Sequence, residues 1–182
     1  MEELSMHILD IADNSTRAGA THIRIIVNES KMRDTLAVTI ADNGSGMDEE
    51  TKMKARDPFF TTKTVRKIGL GIPLIEQAAK AAGGEFSIES EKGKGTCVTA
   101  TFKLSHIDRQ PLGRLVETII TLIAGNPTVD FSYSCESDTG KYELNTQEVR
   151  EALEDVPINN PEVLSFIKKS MQEGLREIKM DL

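Results

Sequence analysis

Asp10, Asn14 and Arg17 follow one another at steps of four and three residues, so a helix would carry all three on one face. The segment from Leu4 to Gly19 has the spacing for such a helix, with apolar residues at Leu4, Ile8, Ile11 and Ala12. A carboxylate, a neutral amide and a cation side by side suit a proton acceptor, a magnesium ligand and a phosphate contact. Magnesium takes oxygen ligands and keeps several waters, so one Asn together with the phosphates of a ligand suffices. Taken alone, the same pattern also describes a solvated helix face.

Three further clusters follow within one domain length. Leu36 to Ala41 mixes small and β-branched residues as a strand does, and runs into Asp42-Asn43-Gly44-Ser45-Gly46-Met47. Two glycines allow the backbone a tight path close to a ligand. Asp42, at the strand end, is placed to accept a hydrogen bond from an exocyclic amine such as that of adenine. An Asn-Gly hairpin turn would account for Asn43-Gly44 but leaves Gly46 without a task. Next comes Pro58-Phe59-Phe60-Thr61-Thr62-Lys63, a stretch that stays polar and cationic through Arg66 and Lys67 to Gly69-Leu70-Gly71. Apolar spacing at Leu74, Ile75, Ala78, Ala79 and Ala82 predicts a helix from Pro73 to the Gly83-Gly84 pair. A glycine-rich loop entering a helix offers amides and a dipole to phosphate, and Lys63, Arg66 and Lys67 add the mobile charge of a lid. Gly93-Lys94-Gly95-Thr96 comes last. No Gly-x-Gly-x-x-Gly follows a strand and no Gly-x-x-x-x-Gly-Lys-Ser/Thr occurs, which excludes the Rossmann and P-loop fingerprints. In this order the clusters describe a pocket for a magnesium nucleotide.

These residues resemble the GHKL superfamily of gyrase, heat-shock chaperone, histidine kinase and mismatch-repair ATPases, over roughly residues 1–104. The resemblance implies an α/β two-layer sandwich of the Bergerat type, a mixed sheet with helices on one face, that binds ATP and Mg2+. It makes Asn14 the magnesium ligand and Arg17 the basic residue three positions on. Asp42, Gly44 and Gly46 match the Asp-x-Gly-x-Gly box whose carboxylate recognises adenine, with Met47 beside it. Pro58 to Lys63 is similar to the Phe-Phe-Thr-Thr-Lys segment of bacterial histidine kinases, which puts Thr61, Thr62 and Lys63 at the nucleotide. Gly69, Leu70 and Gly71 match the glycines after the lid, and Thr96 the last box. The run Asn14-Ser15 to Ala18-Gly19-Ala20-Thr21 also resembles the mismatch-repair branch, but residues 105–182 do not resemble the long transducer domain of that branch, so a repair role is not expected. Asp10 is the implied catalytic residue. The ATPase branches carry Glu at that position, one methylene longer, and a general base must reach the attacking water, so slow hydrolysis or none is expected. The kinase branch places a dimerising helix with a phosphoacceptor His ahead of this domain; with the nucleotide motifs starting near residue 1, none is expected here.

The 182 residues carry a net charge of −7, and residues 105–182 account for −6 of it, which argues against a nucleic-acid partner. There is no signal peptide and no apolar run of spanning length, so a cytoplasmic protein without membrane contact is expected. Cys97 and Cys135 have no metal-ligand spacing and are expected to be buried, reduced thiols in separate strands.

Residues 105–182 are expected to form a small α+β extension. An apolar helix (Leu115, Val116, Ile119, Ile120, Leu122, Ile123) stops at Gly125-Asn126-Pro127. Strands Val129 to Cys135 and Lys141 to Leu144 follow, then a helix capped by Thr146. Asn160-Pro161 opens a last helix striped by Leu164, Ile167, Met171, Leu175 and Ile178. Both stripes are expected to pack on the domain, with homodimerisation or docking of a protein partner as the alternative. His106-x-x-Arg109-x-Pro111-Leu112 is similar to the phosphoacceptor box of histidine kinases. Ile107 and Gln110 stand where that box has an acid and a Thr or Asn, so a linker histidine is expected.

Two functions fit this pattern. One is an enzyme that transfers phosphate from ATP to a separate protein, or hydrolyses ATP slowly. The other is a nucleotide-gated regulatory module without significant catalysis. The Phe-Phe-Thr-Thr-Lys segment, which resembles the kinase branch, favours the first.

Overall fold

Ile23, Ile25 and Val27 are buried while Arg24 and Asn28 are exposed, and this alternation makes β1 (His22–Ser30) a strand with one face on a core. The same period runs through β2 (Thr35–Asp42), β3 (Phe86–Glu91), β4 (Gly95–Lys103), β5 (Asp130–Ser137) and β6 (Gly140–Asn145). The strands form one sheet in the order β3-β4-β2-β1-β5-β6. β1 and β5 run parallel, with Ile25 opposite Tyr133, and every other pair is antiparallel. The computed structural model describes residues 3–57, 71–153 and 155–180; Thr61, Thr62, Lys63, Gly69 and Leu70 lie outside them, as do Arg66 and Lys67.

The helices are α1 (Leu4–Arg17), α2 (Glu49–Ala55), α3 (Gly71–Ala81), α4 (Leu115–Gly125), α5 (Thr146–Leu153) and α6 (Pro161–Glu177). Four of them pack side by side in the order α3-α1-α4-α6 over the core face of the sheet. The opposite face, with Arg24, Thr39, Thr99, Ser132 and Ser134, stays at least partly exposed. This is the expected α/β sandwich with a mixed sheet and helices on one face. The stripes on α4 (Leu115, Ile119, Leu122, Ile123) and α6 (Ile167, Met171, Leu175) are buried in the same core. Each such side chain contributes about 1.5–3 kcal/mol on burial, so both stripes pack on the domain. Among the described residues no helix is long and apolar enough to cross a membrane.

Backbone and side-chain details set the position of α1. No side chain caps its first turn. Instead the linker after β4 lies across it: the Leu4 and Ser5 amides donate to the Pro111 and Leu112 carbonyls at 2.9 and 3.0 Å. His7, buried on α1, meets Gln110 Oε1 at 2.9 Å and pins the same linker. His106 is a linker residue, as expected, with Nδ1 accepting from the Asp108 amide at 3.2 Å.

Two expectations are corrected. Thr146 does not cap α5; it is fully buried, and its hydroxyl oxygen accepts the Phe131 amide at 2.8 Å. Asn145 takes the capping role, accepting from the Gln147 amide at 3.0 Å. The backbone of β5 at the start of its pairing needed an acceptor more than the helix did. Cys135 is buried as expected, and burial pushes its thiol up to about 11, which keeps it protonated and inert. Cys97 is only half-buried, because its position on β4 faces the open side of the sheet.

The short helix α2 buries no residue of its own. Arg56, at its C-terminal end, ties it to α3 through a two-pronged ion pair with Glu76, Nε to Oε2 being 2.9 Å, and lies 5.8 Å from the Phe86 ring centre. Lys80 adds a second contact to Glu76 at 2.7 Å. The Arg56 hydrogen bonds hold the Glu76 carboxyl down at about 2, from an ordinary 4.5. A carboxylate whose pKa falls on folding stabilises the fold above its unfolded pKa and loses that contribution as the pH drops through the folded one. Both cations are about half-exposed, which screens the pair, so stability is expected to fall by on the order of 2 kcal/mol between about pH 4.5 and 2. Urea titrations across that range should show the loss in the wild type and a flatter profile in Glu76→Gln.

Candidate nucleotide site

Asp10 and Arg17 are exposed on α1, and Asn14 is half-buried between them in sequence. None of the three side chains has a hydrogen-bond or ion-pair partner among the described residues. Helix α3 begins against this face: a Cβ at Gly71 would lie 2.8 Å from the Asp10 Cβ. The first-turn amides of α3 therefore open next to Asp10, and Pro73 in that turn removes an amide that would have had no helical partner. An anion beside Asp10 and Asn14 would meet the positive end of a helix dipole.

At the other end of the site the loop after β2 is held from several sides. The Ser15 hydroxyl donates to Asp42 Oδ2 at 2.6 Å, and the Gly44 amide donates to Asp42 Oδ1 at 2.8 Å. These two donors fix the plane of the carboxylate and leave its remaining lone pairs open. Asn43 does not form a hairpin turn. Its Oδ1 accepts the Thr21 and His22 amides, both at 2.9 Å, and so fastens the loop to the chain between α1 and β1. The Ser45 amide donates to Ala18 O at 2.9 Å, and the Met47 amide to Ser90 Oγ at 2.8 Å.

The glycines here are required by space as well as by conformation. Gly46 has φ +62 and a Cβ there would sit 2.0 Å from the Glu91 carbonyl oxygen. Gly95 has φ +101 and its Cβ would sit 1.9 Å from the Asp42 carbonyl oxygen. Thr96 follows on β4, directly opposite Asp42 in the β2–β4 register and on the same core-facing side. The fold thus brings Asp42, Gly44, Gly46, Met47 and Thr96 together at one end, and Asp10, Asn14 and Gly71 at the other, joined through Ser15 next to Asn14. Thr61, Thr62, Lys63, Gly69 and Leu70 fall outside the described residues.

Ser15 and Ser90 are the site residues that spacing and motif did not single out. Both carried a signal. Ser15 continues the buried stripe Leu4, Ile8, Ile11 and Ala12, and Ser90 the core-facing series Phe86 and Ile88. A hydroxyl in an apolar series needs a partner, and here the partners are in the loop.

Among the described residues no group of three or more His, Cys, Asp or Glu side chains could hold a metal ion. The donor set still fits magnesium: Asn14 offers a neutral oxygen without a partner among the described residues, and the phosphates of a nucleotide would supply the others.

The fold is an α/β sandwich, and the candidate site suits a nucleotide. The sequence profile described as "Histidine kinase-, DNA gyrase B-, and HSP90-like ATPase" matches residues 2–106, and the chain belongs to that family. It is therefore an ATP-binding module of the histidine kinase-like type. Over 109 residues it is 33% identical to a putative sensor protein of Shewanella frigidimarina (strain NCIMB 400), covering 59% of this chain and 17% of that one. Over 110 residues it is 34% identical to the sensor protein kinase FleS of Pseudomonas aeruginosa, covering 60% of this chain and 27% of that one. The chain thus spans well under a third of either relative's length. A crystal structure of the N-terminal domain of a DNA repair protein shares the fold, with a TM-score of 0.54 and 15% identity over 80% of this chain and 52% of that one.

Proposed function

We propose that the chain binds Mg-ATP with the base at Asp42 and the phosphates along α1, and that it acts as a protein kinase on a separate protein or as a slow ATPase. The observation that carries this reading is a division of labour among polar side chains. Asp42 is fixed by two donors, while Asp10 and Asn14, on the helix that supplies one of those donors, have no partner among the described residues. Gly44, Gly46, Met47 and Thr96 would wall the base. Arg17 is proposed as a phosphate contact, with Thr61, Thr62, Lys63, Gly69, Leu70 and Gly71. Asn14 would hold Mg2+, which supplies neutralising charge to the phosphate oxygens when bound. Asp10 would accept the proton of the attacking hydroxyl or water.

Incubation with γ-labelled ATP, alone and with response-regulator-like acceptor proteins, tests the activity. Label on an added protein supports the kinase reading, free phosphate supports the ATPase, and neither outcome in the presence of tight ATP binding defeats both. The short reach and exposure of Asp10 favour a second reading, a nucleotide-gated regulatory module without significant catalysis. Residues 105–182 are proposed as an element for homodimerisation or docking of a protein partner; Phe166, 73% exposed on α6, supports this because the α6 stripe itself is buried. A cytoplasmic location and the absence of nucleic-acid and membrane partners complete the proposal.

Asn14→Ala is expected to weaken Mg-ATP about tenfold, the scale of one lost oxygen contact to a charged group, while metal-free ADP changes less than about twofold. Calorimetry with and without magnesium checks this. Equal losses for both nucleotides would mean that Asn14 serves only the helix.

A further inference from the structure

β6 ends the sheet on one side, and β5 is the one strand it pairs with. Contacts at the start of β5 fix which backbone groups that pairing uses. The Phe131 amide donates to Thr146 Oγ1, toward β6, while the Asp130 amide donates to the Thr21 carbonyl, toward β1. Backbone groups alternate sides along a strand, so Tyr133, Cys135 and Ser137 also face β6, opposite Leu144, Tyr142 and Gly140. The amides and carbonyls of Lys141 and Glu143 therefore point away from the sheet, and none has a partner among the described residues. A second copy of β6, antiparallel across a two-fold axis, can meet them in few registers. An axis at Lys141 sets two lysines opposite each other, and an axis at Glu143 sets two glutamates. An axis at Leu144 leaves Lys141 beyond the end of the second strand. An axis at Tyr142 sets Lys141 opposite Glu143 of the second copy, twice by symmetry. Both side chains are exposed on the open face and 2.7 Å apart within their own strand, so this register closes a ring of alternating charge.

The helix above this edge points the same way. α6 runs along β6, with Ile178 against Gly140 and Gly174 against the Tyr142 ring, whose hydroxyl is 3.2 Å from Ser170 Oγ. Lys168 pairs with Glu117 of α4 at 3.1 Å, so that flank of α6 faces α4. Phe166, Ser170 and Glu173, spaced by four and three, line the opposite flank, beside the free edge. The exposed Phe166 ring thus stands next to the unpaired strand. We infer that two copies of this chain join edge to edge through β6, with the axis at Tyr142, and that the two α6 helices meet across the same axis. The inference rests on the association role proposed for residues 105–182 and gives it one partner, a second copy. The candidate nucleotide sites are separated from the axis by β1, β5 and β6. A six-residue edge with one aromatic flank is small beside the roughly 1,200–2,000 Å² of a stable complex, so a Kd of about 10–100 μM is expected.

Sedimentation equilibrium of the full chain, from about 5 μM to about 1 mM, is expected to show a monomer–dimer equilibrium. Glu143→Lys and Lys141→Glu each turn both cross-strand pairs into like charges and should weaken self-association at least about tenfold. Both side chains are exposed and their ion pair is a surface one, so melting temperatures should stay near the wild type. Mixed in equal amounts, the two variants should pair with each other about as tightly as the wild type does with itself. Each lysine edge then faces a glutamate edge, which no effect confined to one chain would reproduce. Phe166→Ser should weaken association about threefold or more. A wild type that stays monomeric at the highest concentration would overturn the inference and the homodimer reading together, leaving docking of a different protein. A dimer indifferent to both charge reversals, or a mixture no tighter than its components, would overturn the β6 interface and leave homodimerisation by another surface standing.

Discussion

Asn in place of Asp10 is expected to leave ATP affinity within about twofold of the wild type while phosphotransfer or hydrolysis falls roughly a hundred- to ten-thousandfold. Asp10 is exposed on α1 and has no partner among the described residues, so the substitution removes no internal contact. The carboxylate lies at the mouth of α3, where Gly71 packs against its Cβ. Asp10→Glu asks a sharper question. It lengthens the side chain by one methylene and should raise hydrolysis if proton transfer over that distance limits the rate. Phosphate release under saturating ATP, read beside calorimetric affinities, is the measurement. A Glu variant slower than the wild type at unchanged affinity would mean that Asp10 already has the right reach. If the protein is a nucleotide-gated module, neither substitution should alter partner binding or its dependence on nucleotide.

Asp42→Asn is expected to weaken ATP binding by about 2 kcal/mol, near 30-fold, the scale of a hydrogen bond to a charged group. The structure explains why this variant should still fold. Its side-chain oxygen can keep the Gly44 amide, and its nitrogen can donate to the Ser15 oxygen in place of the present bond in the other direction. What is lost is the outward-facing acceptor, because the new amide protons would meet an amine on the ligand. Competition between ATP and GTP should lose its bias in the variant. Equal ATP affinity in both proteins would refute the placement of the base at Asp42.

How far the sequence announces this structure depends on the range of the interaction involved. Helix α1 and strand β2 were legible because Leu4, Ile8 and Ile11, and likewise Leu36, Val38 and Ile40, repeat at the period of the element they form. Asn160-Pro161 announced α6, and Asn160 Oδ1 indeed accepts the Glu162 amide at 2.8 Å. The strand β3 has an equally plain alternation, Phe86, Ile88 and Ser90 inward with Ser87 and Glu89 outward, which motif reading passed over. Helix α2 offered only its Asp48 cap, since it has no apolar stripe and depends on Arg56 reaching Glu76. The site followed the same rule. Spacing put Asp10, Asn14 and Arg17 on one helix face, but the Ser15–Asp42 bond joins residues 27 apart and no local pattern encodes it. Thr146 misled for a related reason: the residue type suits a cap, and a β5 amide fifteen residues away claimed it.

The parallel pairing of β1 with β5 also bears on how the protein is made. Residues 22–28 wait for residues 130–136 before one side of their backbone finds partners. A chain leaving the ribosome N-terminus first would have the whole nucleotide site translated while that flank of β1 was still unzipped. Such a bare, apolar strand is a template for neighbouring chains. β5 thus closes the flank of β1 that the preceding strands leave open, and a fragment ending after β4 is expected to carry the described site residues and yet to aggregate more readily than the full chain, which light scattering would check.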